Sequence, residues 1–70
     1  MTTRVMINGR EFEIPEPFLN GDQIRTLGNI EDHRLVVLQR DTGNYLIDSS
    51  QQYPIRNGDY FADAPTFKYG

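Results

Sequence analysis

Asn8-Gly9 stands between two five-residue runs of alternating character, and this arrangement constrains the chain more than any other. In residues 4–8, Val5 and Ile7 fall on one side and Arg4, Met6 and Asn8 on the other. In residues 10–14, Phe12 and Ile14 oppose Glu11 and Glu13. Alternation of period two puts one side of each run against a core and the other in water. Asn-Gly readily takes the positive φ that both central residues of a type I′ turn need, so the two runs close as a β-hairpin.

Pro15-Glu16-Pro17 ends the second run, because proline lacks the N–H that a ladder requires. A short helix is predicted next, capped by Asn20 or Asp22, with Ile24, Leu27 and Gly28 toward the sheet at i, i+3 and i+4 spacing. Gly28 suits the left-handed position just past a helix end. A helix of so few turns does not stand alone in water and must be held by the hairpin's apolar face. Leu35-Val36-Val37-Leu38 is short, continuous and β-branched in its centre, which favours a strand. Residues 41–44 read as a turn, Tyr45-Leu46-Ile47 as a returning strand and residues 48–52 as a polar loop. Tyr53-Pro54-Ile55 re-enters the core, residues 56–59 turn again, and Tyr60-Phe61-Ala62 forms a last strand closed by Pro65.

Hairpins on both sides of one helix indicate an α+β fold with the helix on one sheet face. Setting the last strand beside the first, in the middle of the sheet, buries Phe61 against Val5, Ile7 and Leu27. That is the β-grasp arrangement: a mixed four- to five-stranded sheet with one short helix packed on one face. Residues 1–65 form the domain and residues 66–70 a flexible C-terminal tail.

Composition narrows the function. A chain of 70 residues is one domain and buries only roughly 60% of its unfolded surface. It has no cysteine, so neither disulfides nor thiolate metal sites hold it together. Net charge is −3 and the pI about 4.8, with no cluster of Lys and Arg for phosphate, which argues against nucleic acid as a partner. No apolar run approaches the roughly 20 residues of a membrane helix. The first residues lack the apolar stretch of an export signal, so the expected location is cytoplasmic. His33 sits in a charged loop beside Glu31, Asp32 and Arg34 and reads as solvated. Asp41, Asp48, Asp59 and Asp63 lack the spacing of a calcium loop and read as turn formers. Ser49-Ser50 has no nucleophile-elbow context. With no convergent set of titratable residues, the expectation is a protein that is not an enzyme and carries no metal or cofactor of its own.

In their order and spacing, three segments resemble bacterial ubiquitin-like domains of the multiubiquitin type: residues 7–14, residues 21–28, and residues 55–61 with Ala64-Pro65. The resemblance spans roughly Val5 to Pro65. It implies a β-grasp protein modifier from operons of bacterial ubiquitination-like systems, some of them associated with antiphage defence. The implied partners are an E1-like adenylating enzyme, an E2-like conjugating enzyme, a JAB/MPN-type metallopeptidase and target proteins, with ATP used by the activating partner. Gly70 would carry the covalent attachment, since glycine has no Cβ to obstruct a narrow enzyme cleft. Thr66, Phe67, Lys68 and Tyr69 would be the tail read by partner enzymes. Many ubiquitin-like and sulfur-carrier proteins end in Gly-Gly, whereas this sequence ends Phe67-Lys68-Tyr69-Gly70. Lys68 is the only lysine, which disfavours chains built through lysine.

Ubiquitin-like domains are usually read through apolar residues on the sheet face away from the helix. Candidates are Met6 on the first strand, Val36 or Leu38 on the third and Tyr60 on the last, because alternation leaves two of residues 35–38 outside. Two other readings stay open: a non-conjugated binding module that uses the same face, and a sulfur carrier bearing a C-terminal thiocarboxylate.

Overall fold

The computed structural model describes residues 2–64. Met1 and residues 65–70, among them Gly70 and the tail residues Thr66, Phe67, Lys68 and Tyr69, lie outside the described residues. Strands β1 (Thr3–Ile7) and β2 (Arg10–Ile14) pair antiparallel, Thr3 opposite Ile14 and Ile7 opposite Arg10. Asn8 and Gly9 join them with φ of 51° and 83°, the two positive values that the Asn-Gly pair predicts. After the two prolines come β3 (Phe18–Leu19) and α1 (Gly21–Gly28). Then follow β4 (Leu35–Arg40), β5 (Gly43–Leu46), β6 (Tyr53–Pro54) and β7 (Asp59–Ala64).

The main sheet has five strands in the order β2-β1-β7-β4-β5. The last strand lies in its centre, parallel to β1 and antiparallel to β4, while β3 and β6 form a separate two-stranded pair. One short helix packs against β1 and β4. This is a β-grasp-like α+β fold.

The core lies between α1 and one face of the sheet. Val5, Ile7, Ile24 and Phe61 are fully buried there, with Val36 and Leu38 beside them. Phe61 is level with Ile7 on one side and Leu38 on the other, so the central strand carries its largest side chain into the middle of the core. Ile14, Leu19, Ile30 and Ile47 close the periphery.

Three local readings need correction. The left-handed residue that ends α1 is Asn29 (φ 54°, ψ 45°), not Gly28, which belongs to the helix. Gly28 is there for space: a Cβ on it would lie 2.5 Å from Cγ2 of Ile7. Asp59 and Asp63 are not turn residues but belong to β7. The returning strand starts earlier than expected, at Gly43, because the turn before it holds only Asp41 and Thr42.

Candidate functional site

The helix-free face of the sheet follows from strand alternation. Because Val5 and Ile7 point into the core, Arg4 and Met6 point away from it; because Asp59 and Phe61 point in, Tyr60 and Ala62 point out. On β4 the buried pair is Val36 and Leu38, at 1% and 3% exposure. These two were expected on the outer face, and that expectation is wrong. Leu35 and Val37 hold the outer positions instead, both half-buried.

The phase of β4 is set at its far end. Arg40 shares the inner phase with Val36 and Leu38, and its guanidinium grips Asp59, which is only 5% exposed. Arg40 Nε donates to Asp59 Oδ1 at 3.0 Å and a terminal guanidinium nitrogen donates to Oδ2 at 2.8 Å. The Arg56 N–H donates to the same carboxylate at 2.9 Å, so one aspartate ties the turn before β7 to the end of β4. The Asp59 hydrogen bond raises the Arg40 pKa above its ordinary value, against an opposing effect of burial. At the other end of the same strand pair, Arg34 bonds Asp63 at 2.6 Å.

Register then assembles the outer face. Met6 lies beside Tyr60, Ala62 beside Val37, Val37 beside Leu46, and Leu35 beside Ala64. Leu46, 63% exposed on the edge strand β5, is the most exposed of the large apolar side chains among the described residues. The result is a continuous apolar strip across four strands. Arg4 with Glu11 (3.4 Å) and Glu13 (3.9 Å) borders it on the β1–β2 side, and Gln39 and Asn44 interrupt its upper edge. Contiguous apolar surface bordered by polar groups marks a docking site more often than scattered exposed residues do.

Met6 and Tyr60 therefore stand where the sequence puts them, in adjacent positions of this strip. Leu35, Val37, Leu46 and Ala62 were missed. Polar residues follow the apolar run in both phases, Gln39 outward and Arg40 inward, so the run itself does not reveal which pair is buried. His33 Nε2 lies 3.1 Å from a Glu31 carboxylate oxygen in an exposed loop, and the Ser49 hydroxyl accepts from Arg25 at 2.7 Å. Among the described residues no three His, Cys, Asp or Glu come together as a metal site. No helix of the described residues is long and apolar enough to cross a membrane.

The fold and face define a β-grasp-like domain with an apolar strip opposite its helix. Comparison with protein-family models, with curated proteins and with solved structures yields no match for the chain.

Proposed function

We propose that the chain is a ubiquitin-like modifier: partner enzymes dock on the outer sheet face and act on the carboxyl of Gly70. The observation that carries this reading is the position of β7. It is the central strand, and its last residue, Ala64, lies beside Leu35 at the border of the apolar strip. The last described residue of the central strand thus stands at the border of the surface that a partner would hold.

The chemistry belongs to the partners. The carboxylate attacks the α-phosphorus of ATP, giving an acyl-adenylate and pyrophosphate; an enzyme thiolate then displaces AMP, and a target amine displaces the thiolate. The modifier contributes a slim terminus and a surface that holds it in place. Pre-positioning of this kind contributes through lowered entropic cost rather than through acid–base groups.

The test is incubation with an E1-like adenylating enzyme, ATP and magnesium. The expected product is an adduct released by thiol, absent when Gly70 is deleted and weakened by Leu46→Asp, a change at a 63% exposed edge position, at unchanged stability. An adduct unaffected by deletion of Gly70 overturns the reading. Exchange of one carboxyl oxygen for sulfur, seen by mass, would identify a sulfur carrier instead. The apolar strip equally serves a non-conjugated binding module; partner capture through the face with no adduct under any condition would select that alternative.

A further inference from the structure

The two edges of the sheet differ in kind. Strand β2, on one side, carries Glu11 and Glu13 and runs into Pro15, and charges and prolines keep an edge from pairing with other chains. Strand β5, on the other side, reads Gly43-Asn44-Tyr45-Leu46, with neither charge nor proline. Tyr45 and Leu46 are two of the three exposed large apolar side chains among the described residues. The Ile47 N–H donates to the Val36 carbonyl at 2.9 Å, so alternation makes Leu38–Tyr45 and Arg40–Gly43 the other hydrogen-bonded pairs of this hairpin. The N–H and C=O of Asn44 and Leu46 therefore point away from β4, and among the described residues no backbone group bonds them.

We propose that β5 pairs antiparallel with β5 of a second copy of this chain, joining two sheets edge to edge. Register and charge select this occupant. With Tyr45 opposite its own counterpart on a two-fold axis, Asn44 meets Leu46 of the second copy, and the outward N–H and C=O groups of both edges all find partners. Pairing through β2 would instead set Glu11 and Glu13 of both copies against each other; the paired residues of β5 carry no charge. The two-fold axis stands perpendicular to the joined sheet, so both helices fall on one side and both apolar strips on the other. Two strips side by side offer a docking protein a bivalent surface, on which the second contact gains from effective concentration. The interface is one four-residue strand from each copy, so association is weak, with Kd on the order of 1 mM. The inference does not depend on Gly70 or on conjugation.

The experiment is sedimentation of the full chain from about 0.05 to about 3 mM, with amide spectra of labelled protein over the same range. The mass should rise from one chain toward two, with concentration-dependent shifts at Asn44, Tyr45 and Leu46. Added salt should strengthen the association, because it screens the −3 charge of each copy and the flanking Asp41 and Asp48. Tyr45→Lys and Tyr45→Glu each lose the aromatic contact across the axis and set like charges opposite each other. Each should weaken self-association about tenfold, and an equal mixture of the two should restore it. Tyr45, 44% exposed, shares the helix side with Leu38, so these variants leave the outer strip intact and separate this inference from the proposed role of that face. Asn44→Lys, at an exposed edge position, should also weaken self-association while leaving the unfolding midpoint in place. A mass of one chain throughout, a mass that climbs past two, a mixture that associates no better than either Tyr45 variant alone, or an Asn44→Lys variant that associates as well as the parent would each overturn the proposal.

Discussion

At Gly28 two ordinary effects oppose each other. Alanine is the better helix former by about 1 kcal/mol, which favours Gly28→Ala on an isolated helix. Here its Cβ would lie 2.5 Å from Cγ2 of the fully buried Ile7, and overpacking a core costs about 1–3 kcal/mol. Packing wins, so the variant should unfold at lower urea than the parent, and a raised midpoint would disprove the steric account. Asn29→Gly should be neutral or slightly stabilising, because φ 54° suits glycine at least as well. The glycine was legible as a helix-end signal; its reason for being there was not, since Ile7 is distant in sequence. The same holds for Arg40 and Asp59, whose pairing fixes the phase of Val36 and Leu38 but joins residues 19 apart. Asp59→Ala removes the acceptor for Arg40 and for the Arg56 N–H, and should cost about 2–4 kcal/mol in a paired group this buried. The folded pKa of Arg40 is raised, so its contribution is full below the unfolded value and is lost only as pH climbs through the higher folded one. The parent-minus-variant difference should therefore stay flat through neutral and mildly alkaline solution.

Among the elements, α1 owes its position to its first turn. The Asn20 side chain accepts from the Gln23 N–H at 2.8 Å and the Gln23 side chain accepts from the Asn20 N–H at 2.9 Å, a reciprocal cap. The next two N–H groups, of Gly21 and Asp22, donate to carbonyls of Asp48 and Ser49, so the loop after β5 fixes where the helix begins. Asn20→Ala breaks the reciprocal cap and should cost about 1 kcal/mol, read as a lower denaturant midpoint with an unchanged slope. An unmoved midpoint would mean the loop carbonyls alone hold the helix start. The residues offered Asn20 or Asp22 as the cap; the structure uses Asn20, with Gln23 completing it three residues on. The β3–β6 pair was not visible in the residues: Phe18-Leu19 and Tyr53-Pro54 are too short to show a period, and only the closed fold sets Leu19 opposite Tyr53. The hairpin lies at the other extreme, with local turn chemistry and ten strand residues agreeing on one answer.

At the scale of the whole molecule, the two ends of the described chain meet in the middle of the sheet. Strand β7 joins the β1–β2 hairpin to the β4–β5 pair, and without it the two halves share no strand contact. This topology was legible because the last apolar run needed a partner and Phe61 needed a core; the tail that the proposed conjugation would use falls outside the described residues. The energetics follow from the same geometry. A domain of this length has a total stability of about 4–10 kcal/mol at typical values per residue. Phe61→Ala empties the centre of the core at a site with 0% exposure, and such truncations cost about 3–5 kcal/mol. Loss at that one position thus consumes about a third or more of what holds the molecule together. Phe61→Ala should show collapsed amide dispersion in β1, β4 and α1 together, since all three pack on that ring's strand or face. Phe61→Leu, losing less volume, should cost about 1–2 kcal/mol and remain cooperatively folded. If the alanine variant instead kept native dispersion in β4 and β5 while β1 and β2 melted, the two halves would be separate folding units and the central strand would not be the joint that unites them.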